Sequence, residues 1–138
     1  MSICKKVVAV AVVVVLPIVA LSQETPRQPG EDSLRVARDV LTTGVDDREP
    51  IDDATVFPPS VGELFYFTEV QGADTPTQIT HVWYYNNDEM ARVTLSVDGP
   101  RWRTWSSKRI LENWIGSWRV ETVDADGNVL SSQTFDVH

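Results

Sequence analysis

From Ser33 onward the chain alternates apolar and polar residues with a period of two, and β-branched and aromatic side chains fill the apolar positions. That repeat belongs to a strand with one buried face, because successive side chains point to opposite sides of a sheet. A helix needs a 3.6-residue repeat, and only Ile110–Trp114 leans toward a helical turn. Seven strands are predicted: Ser33–Thr43, Glu63–Val70, Gln78–Asn86, Met90–Val97, Arg101–Ser107, Ser117–Asp124 and Val129–Val137.

The breaks between them have physical causes. Pro58-Pro59 lacks the N–H donors of a ladder and blocks any strand there. Gly72–Pro76 reads as a loop, and Asn86-Asn87-Asp88 and Asp98-Gly99-Pro100 as tight turns. Asp124-Ala125-Asp126-Gly127-Asn128 joins two alternating runs, a hairpin signal because Gly and Asn tolerate positive φ. Short strands with nothing helical between them imply an all-β fold, an antiparallel immunoglobulin-like sandwich of about seven strands over residues 33–138. No internal repeat is visible.

The first 22 residues read differently. Lys5 and Lys6 precede an almost unbroken apolar run, Val7–Ala20, and Ala20-Leu21-Ser22 offers small residues to a signal peptidase. The expectation is a signal peptide over 1–22, cleaved after Ser22, and a periplasmic or secreted domain. The run is short for a bilayer span, which takes about 20 residues. An uncleaved anchor is the alternative, and membrane contact is then expected only through this segment. Residues 23–32 hold two prolines and a glycine and read as a flexible tether.

Composition narrows the partners. Cys4, the only cysteine, lies inside the expected signal, so neither a disulfide nor thiol chemistry is expected in the mature domain. The formal charge of −8 becomes −10 without Lys5 and Lys6, which argues against nucleic acid and anionic lipid as main partners. The acid is uneven, however. Residues 23–60 carry nine acidic side chains against four basic ones, whereas Arg101–Arg109 carries four basic residues and no acid.

That basic strip is also rich in tryptophan. All five tryptophans fall between Trp83 and Trp118, two of them in Arg101-Trp102-Arg103-Thr104-Trp105-Ser106-Ser107-Lys108. Burying one aromatic side chain stabilises by about 4–6 kcal/mol. Parity puts Trp102, Thr104 and Ser106 on one face, with Trp102 inward. Arg101, Arg103 and Trp105 share the other face, directed outward. On Ser117–Asp124, Trp118, Val120 and Thr122 take the apolar face and leave Arg119 and Glu121 outward. Trp83, on a strand apolar on both sides, is expected in the core.

Two roles fit the outward row. Trp105 with Arg101, Arg103 and Arg119 could stack sugar rings while guanidinium groups bind hydroxyls or carboxylates. Otherwise guanidinium planes lie on indole faces as a purely structural Arg–Trp ladder. The candidate ligand-binding set is Arg101, Arg103, Trp105, Arg119, Glu121 and His81. His81, the only internal histidine, lacks partner ligands for a metal and a nucleophile for a triad, so a hydrogen-bonded structural role is expected. Ser107 and Lys108 are adjacent on a strand and point apart. Asp124, Asp126 and Gly127 partly match a calcium loop, but Thr122 and Gln133 stand where acids are required, so a plain hairpin is expected. The acidic run Asp46–Asp53 reads as a solvated loop. No metal, cofactor or catalytic residue is expected.

Thr80–Asn86, Arg101–Lys108 and Gly116–Leu130, in that order, resemble the bacterial domain-of-unknown-function family 2914 (DUF2914) over most of the chain after about Val36. The resemblance implies an envelope-located domain, sometimes attached to membrane segments, with no established activity and no catalytic residues to transfer. The resulting expectation is an exported, non-enzymatic binding module that recognises a glycan or an envelope protein. The rival is an accessory subunit docking onto a membrane complex, with the Arg/Trp row purely structural.

Overall fold

All seven predicted strands form in the computed structural model, which describes residues 10–15 and 33–138. The chain runs through β1 (Arg35–Thr42), β2 (Val45–Asp46), β3 (Glu49–Pro50), β4 (Val56–Phe57), β5 (Glu63–Gln71), β6 (Thr77–Tyr85), β7 (Asp88–Val97), β8 (Arg101–Arg109), β9 (Gly116–Asp124) and β10 (Val129–Val137). The tether at 23–32, and the expected signal peptide apart from residues 10–15, lie outside the described residues. Among the described residues no helix is long and apolar enough to cross a membrane.

The strands form a three-stranded sheet, β1-β5-β8, and a five-stranded sheet, β4-β10-β9-β6-β7. Pairing is antiparallel except for β4 beside β10. Their inner faces pack on each other, since Leu64 and Tyr66 of the smaller sheet share one cluster with Trp83, Trp118, Val120 and Phe135 of the larger.

Turn chemistry sets the register. Asn86 and Asn87 both take positive φ, which closes a two-residue hairpin between Tyr85 and Asp88. Asp47 and Arg48 do the same between Asp46 and Glu49. The acidic run expected as a solvated loop is therefore in part a small hairpin, β2–β3. Asp124 closes the last hairpin by accepting the Asp126 and Asn128 N–H groups, with Gly127 at φ 89°. Ile110–Trp114 is not a helix; a Trp114 N–H to Leu111 carbonyl bond of 2.9 Å closes a reverse turn. The one helical turn among the described residues, a 3-10 turn at Pro59–Val61, follows Pro58, where the strand must stop.

The core is aromatic at one end. Phe135 stacks on Trp118 at 5.8 Å and meets Trp83 and Phe57 edge-on at 6.3 and 6.0 Å. Such pairs add about 0.5–1.5 kcal/mol each beyond their burial. At the other end Val70, Ala73, Ile79 and Val97 form a second cluster, flanked by Trp102. Thr68, His81, Ser106 and Thr122 lie between the two clusters, all buried. The apolar interior is divided by a polar layer.

Candidate functional site

β8 is an edge strand, and its parity is as read from the sequence. Ser106 is buried against the opposite sheet, which puts Trp102 and Thr104 on the inner side and Arg101, Arg103 and Trp105 on the outer side. A groove of about 690 Å³ runs along this strand. Arg48, Arg101, Arg103, Trp102, Trp105, Thr104 and Ser96 line it, and no carboxylate does. Arg48 was not anticipated: it belongs to the β2–β3 turn, which only the folded chain brings beside β8.

Carboxylates behind the groove hold two of the arginines. Glu49 accepts from Arg38 Nη2 at 2.8 Å and from Arg103 Nη1 at 2.6 Å, tying the β2–β3 hairpin across the outer face of the smaller sheet. Val40, Thr42 and Phe67 on that face are accordingly buried. The Arg38 hydrogen bond, aided by Arg103, holds Glu49 below the usual carboxylate range. Asp52 anchors the returning loop: burial opposes its ionisation, but hydrogen bonds from Thr42 and Thr43 prevail and lower its pKa.

Arg101 is freer than Arg103. Its side chain is 72% exposed, and its bond to Glu69 at 2.9 Å uses Nε, leaving both Nη groups for a ligand. Arg48 has no side-chain hydrogen bond or ion pair among the described residues. Trp105 lies flat on Phe67, with centroids 6.3 Å apart and planes 14° apart, and is half-buried. The cation–π contacts are Arg38 over Phe67, Lys108 over Trp114 and Arg119 over Tyr84. Among the described residues no arginine covers an indole, so the Arg–Trp ladder does not form.

Three of the six candidate residues are elsewhere. Arg119 and Glu121 sit on β9, in the other sheet, and point away from the groove. Arg119 is fixed there by Glu121 and Asn87, at 3.0 Å each, and by the Tyr84 ring at 4.3 Å. Parity gave their direction correctly; it carries no information on which sheet a strand joins. His81 is completely buried in the polar layer and reaches no groove.

There His81 belongs to an oriented hydrogen-bond chain. Thr68 Oγ1 donates to the Thr104 carbonyl at 3.0 Å, so it accepts from His81 Nε2 at 3.2 Å. Nδ1 is then an acceptor, and Ser106 Oγ donates to it at 2.7 Å while accepting the Trp83 indole N–H at 3.1 Å. The network fixes the Nε2–H tautomer. Burial pushes His81 down to about 3. Ser106 and His81 are spaced as a nucleophile and base, but the imidazole is a poor base, Thr68 stands where a triad needs a carboxylate, and the serine is 5% exposed. Sequence reading missed the pair, although Ser106 had been placed on the inner face.

Beside it, Tyr66 donates to Asp39 at 2.8 Å and accepts from Thr122 at 3.2 Å; burial raises the phenol's pKa. Asp124 cannot serve a calcium ion readily. Both of its oxygens bind its own hairpin, and the Asn128 backbone N–H leads the groups that lower its pKa. Among the described residues no cluster of three His, Cys, Asp or Glu could hold a metal.

No curated protein matches the chain. The model of the family described as Protein of unknown function (DUF2914) matches residues 76–137. The three segments that carried the resemblance all fall inside that range, but β1 and β5 precede it, so the match is narrower than the stretch from Val36. Over residues 76–137 the chain is therefore similar to the DUF2914 family.

Proposed function

We propose that the chain is an exported, non-enzymatic binding module, periplasmic or secreted, whose β8 groove takes a carboxylate-bearing component of the cell envelope. The observation that carries this reading is the lining: three guanidiniums and two indoles without a carboxylate, on an acidic chain. Guanidinium forks pair with carboxylates through charge-assisted bonds, and an indole offers a flat apolar surface beside them. Lys5, Lys6 and the apolar run after them support export. Seven long antiparallel strands in two layers, with Trp83 buried on an interior strand, support an immunoglobulin-like sandwich.

The test is a tryptophan-fluorescence titration with carboxylate-bearing ligands and their neutral analogues, repeated on Arg48→Ala/Arg101→Ala. Charged ligands should quench the parent and lose about tenfold in affinity on the double variant, since each charge-assisted bond contributes about 1.5–3 kcal/mol. Equal response to neutral analogues would refute the reading.

The Glu49 tie to Arg38 and Arg103 favours one rival. In it the basic row is architectural, and the domain is an accessory subunit docking onto a membrane complex. That reading predicts no change in ligand binding for the Arg48 and Arg101 variants.

A further inference from the structure

The two ends of the β5–β8 ladder fix which backbone groups of β8 are used. Gly72 N–H donates to the Pro100 carbonyl at 3.0 Å, and Ile110 N–H to the Gly62 carbonyl at 2.8 Å. Both pairs lie on the uninterrupted register that joins the strands. Hydrogen-bonded and non-hydrogen-bonded pairs alternate along an antiparallel ladder. Trp102, Thr104, Ser106 and Lys108 therefore direct their N–H and C=O groups to β5. Arg101, Arg103, Trp105 and Ser107 direct theirs to the free edge, where no hydrogen bond among the described residues meets them. Arg101, Arg103 and Trp105, which line the groove, also present its unpaired ladder.

An unpaired ladder is a template for another strand. Self-pairing is opposed by charge: antiparallel β8 edges centred on Trp105 would set Arg101 against Arg109, and like charges directly opposite destabilise a pair. The acid-free lining points instead to a negatively charged occupant. Unpaired amides and carbonyls every second residue match a polypeptide backbone, which a sugar chain does not.

Building on the groove reading above, we propose that β8 binds an extended acidic segment of a partner protein by antiparallel strand addition. Side chains opposite Arg103 and Arg101 are acidic and share their face, two residues apart. The side chain opposite Trp105, two residues earlier in the ligand, is apolar and extends the Phe67–Trp105 stack. Arg48, across the groove, meets a further carboxylate. About five residues, roughly 17 Å of strand, cover the stretch.

The experiment uses the full chain and a blocked decapeptide with a central valine followed by glutamates two and four residues later. Three further ligands are compared: the same peptide N-methylated at the residues that would pair with β8, a peptide with serines for the glutamates, and a uronic-acid oligosaccharide of equal charge. Strand addition predicts binding of the acidic peptide, about tenfold or greater loss on either peptide change, and slowed amide exchange at Arg103 and Trp105. Full binding of the N-methylated peptide, or of the oligosaccharide alone, overturns strand addition while the groove reading survives. Binding of none of the four overturns both. Dimerisation of the free chain that protects the same amides also overturns the proposal.

Discussion

Ser106 Oγ and His81 Nδ1 lie 2.7 Å apart across the interior, on strands of different sheets. Their bond joins the layers at a place where the apolar core is interrupted. Each group has one consistent role: the indole of Trp83 donates to Ser106, Ser106 to His81, His81 to Thr68 and Thr68 to the Thr104 carbonyl. A network that is fully satisfied specifies how the sheets face each other; one that loses a member leaves buried groups bare.

Ser106→Ala should therefore cost more than a lost hydroxyl suggests. It leaves the Trp83 N–H and His81 Nδ1 unpaired, a loss of about 2–4 kcal/mol. Denaturant unfolding measures it. Ser107→Ala, one residue along on the exposed outer face, should change stability by less than about 0.5 kcal/mol.

Acid should destabilise the domain through His81. Its folded pKa is pushed down to about 3, whereas the unfolded imidazole titrates near about 6.5. Between those values the unfolded chain binds the additional proton, so stability rises with pH. This contribution is complete above about pH 6.5 and is lost progressively as pH falls toward the folded value. Glu49, Asp52 and Asp124, all held below the usual carboxylate range, add losses in the same direction at lower pH. His81→Gln should flatten the slope between about pH 5 and 6.5 and reduce it at lower pH, where only the carboxylate contributions remain. Imidazole ¹⁵N shifts should report the neutral Nε2–H tautomer throughout that upper window.

Glu49→Ala should release the β2–β3 hairpin without unfolding the sandwich. Arg38 and Arg103 lose their shared carboxylate, and Phe67 gains access to water. Amide exchange should accelerate across Val45–Pro50, with little change in the main strands. Cooperative loss of β1 and β5 protection would show that the hairpin is part of the core.

Gly72 and Gly127 both take positive φ, 91° and 89°, but differ in surroundings. A Cβ at Gly127 meets nothing within 4 Å, so Gly127→Ala carries backbone strain alone, about 1–2 kcal/mol. A Cβ at Gly72 would lie 2.3 Å from the Ser33 carbonyl oxygen. Gly72→Ala should be the more damaging change, read as the larger fall in Tm.

Strand positions were legible because alternation and turn residues are local: the Val129–Val137 limits are those of the structure. The Asn86-Asn87 turn was equally plain. What lay beyond local reading was how strands are distributed between layers. Arg119 and Arg103 have similar outward parity, yet they occupy opposite surfaces, because sheet membership depends on long-range pairing. The β2–β3 hairpin escaped notice since its central residues, Asp47 and Arg48, read as charge rather than as a turn. With it went the position of Arg48. The Ser106–His81 contact joins two sheets over 25 residues, and no spacing rule links such positions.

The most direct test of the groove is calorimetric titration of the acidic peptide into the parent and into Arg48→Ala/Arg101→Ala, at two salt concentrations. Both substituted side chains are exposed and lie outside the Glu49 tie; loss of the Arg101 bond to the buried Glu69 should lower Tm by a few degrees and leave the fold intact. The parent should bind, more weakly as salt rises, and the variant should bind about tenfold more weakly with a shallower salt dependence. Equal affinity of parent and variant at both salt concentrations would contradict the account.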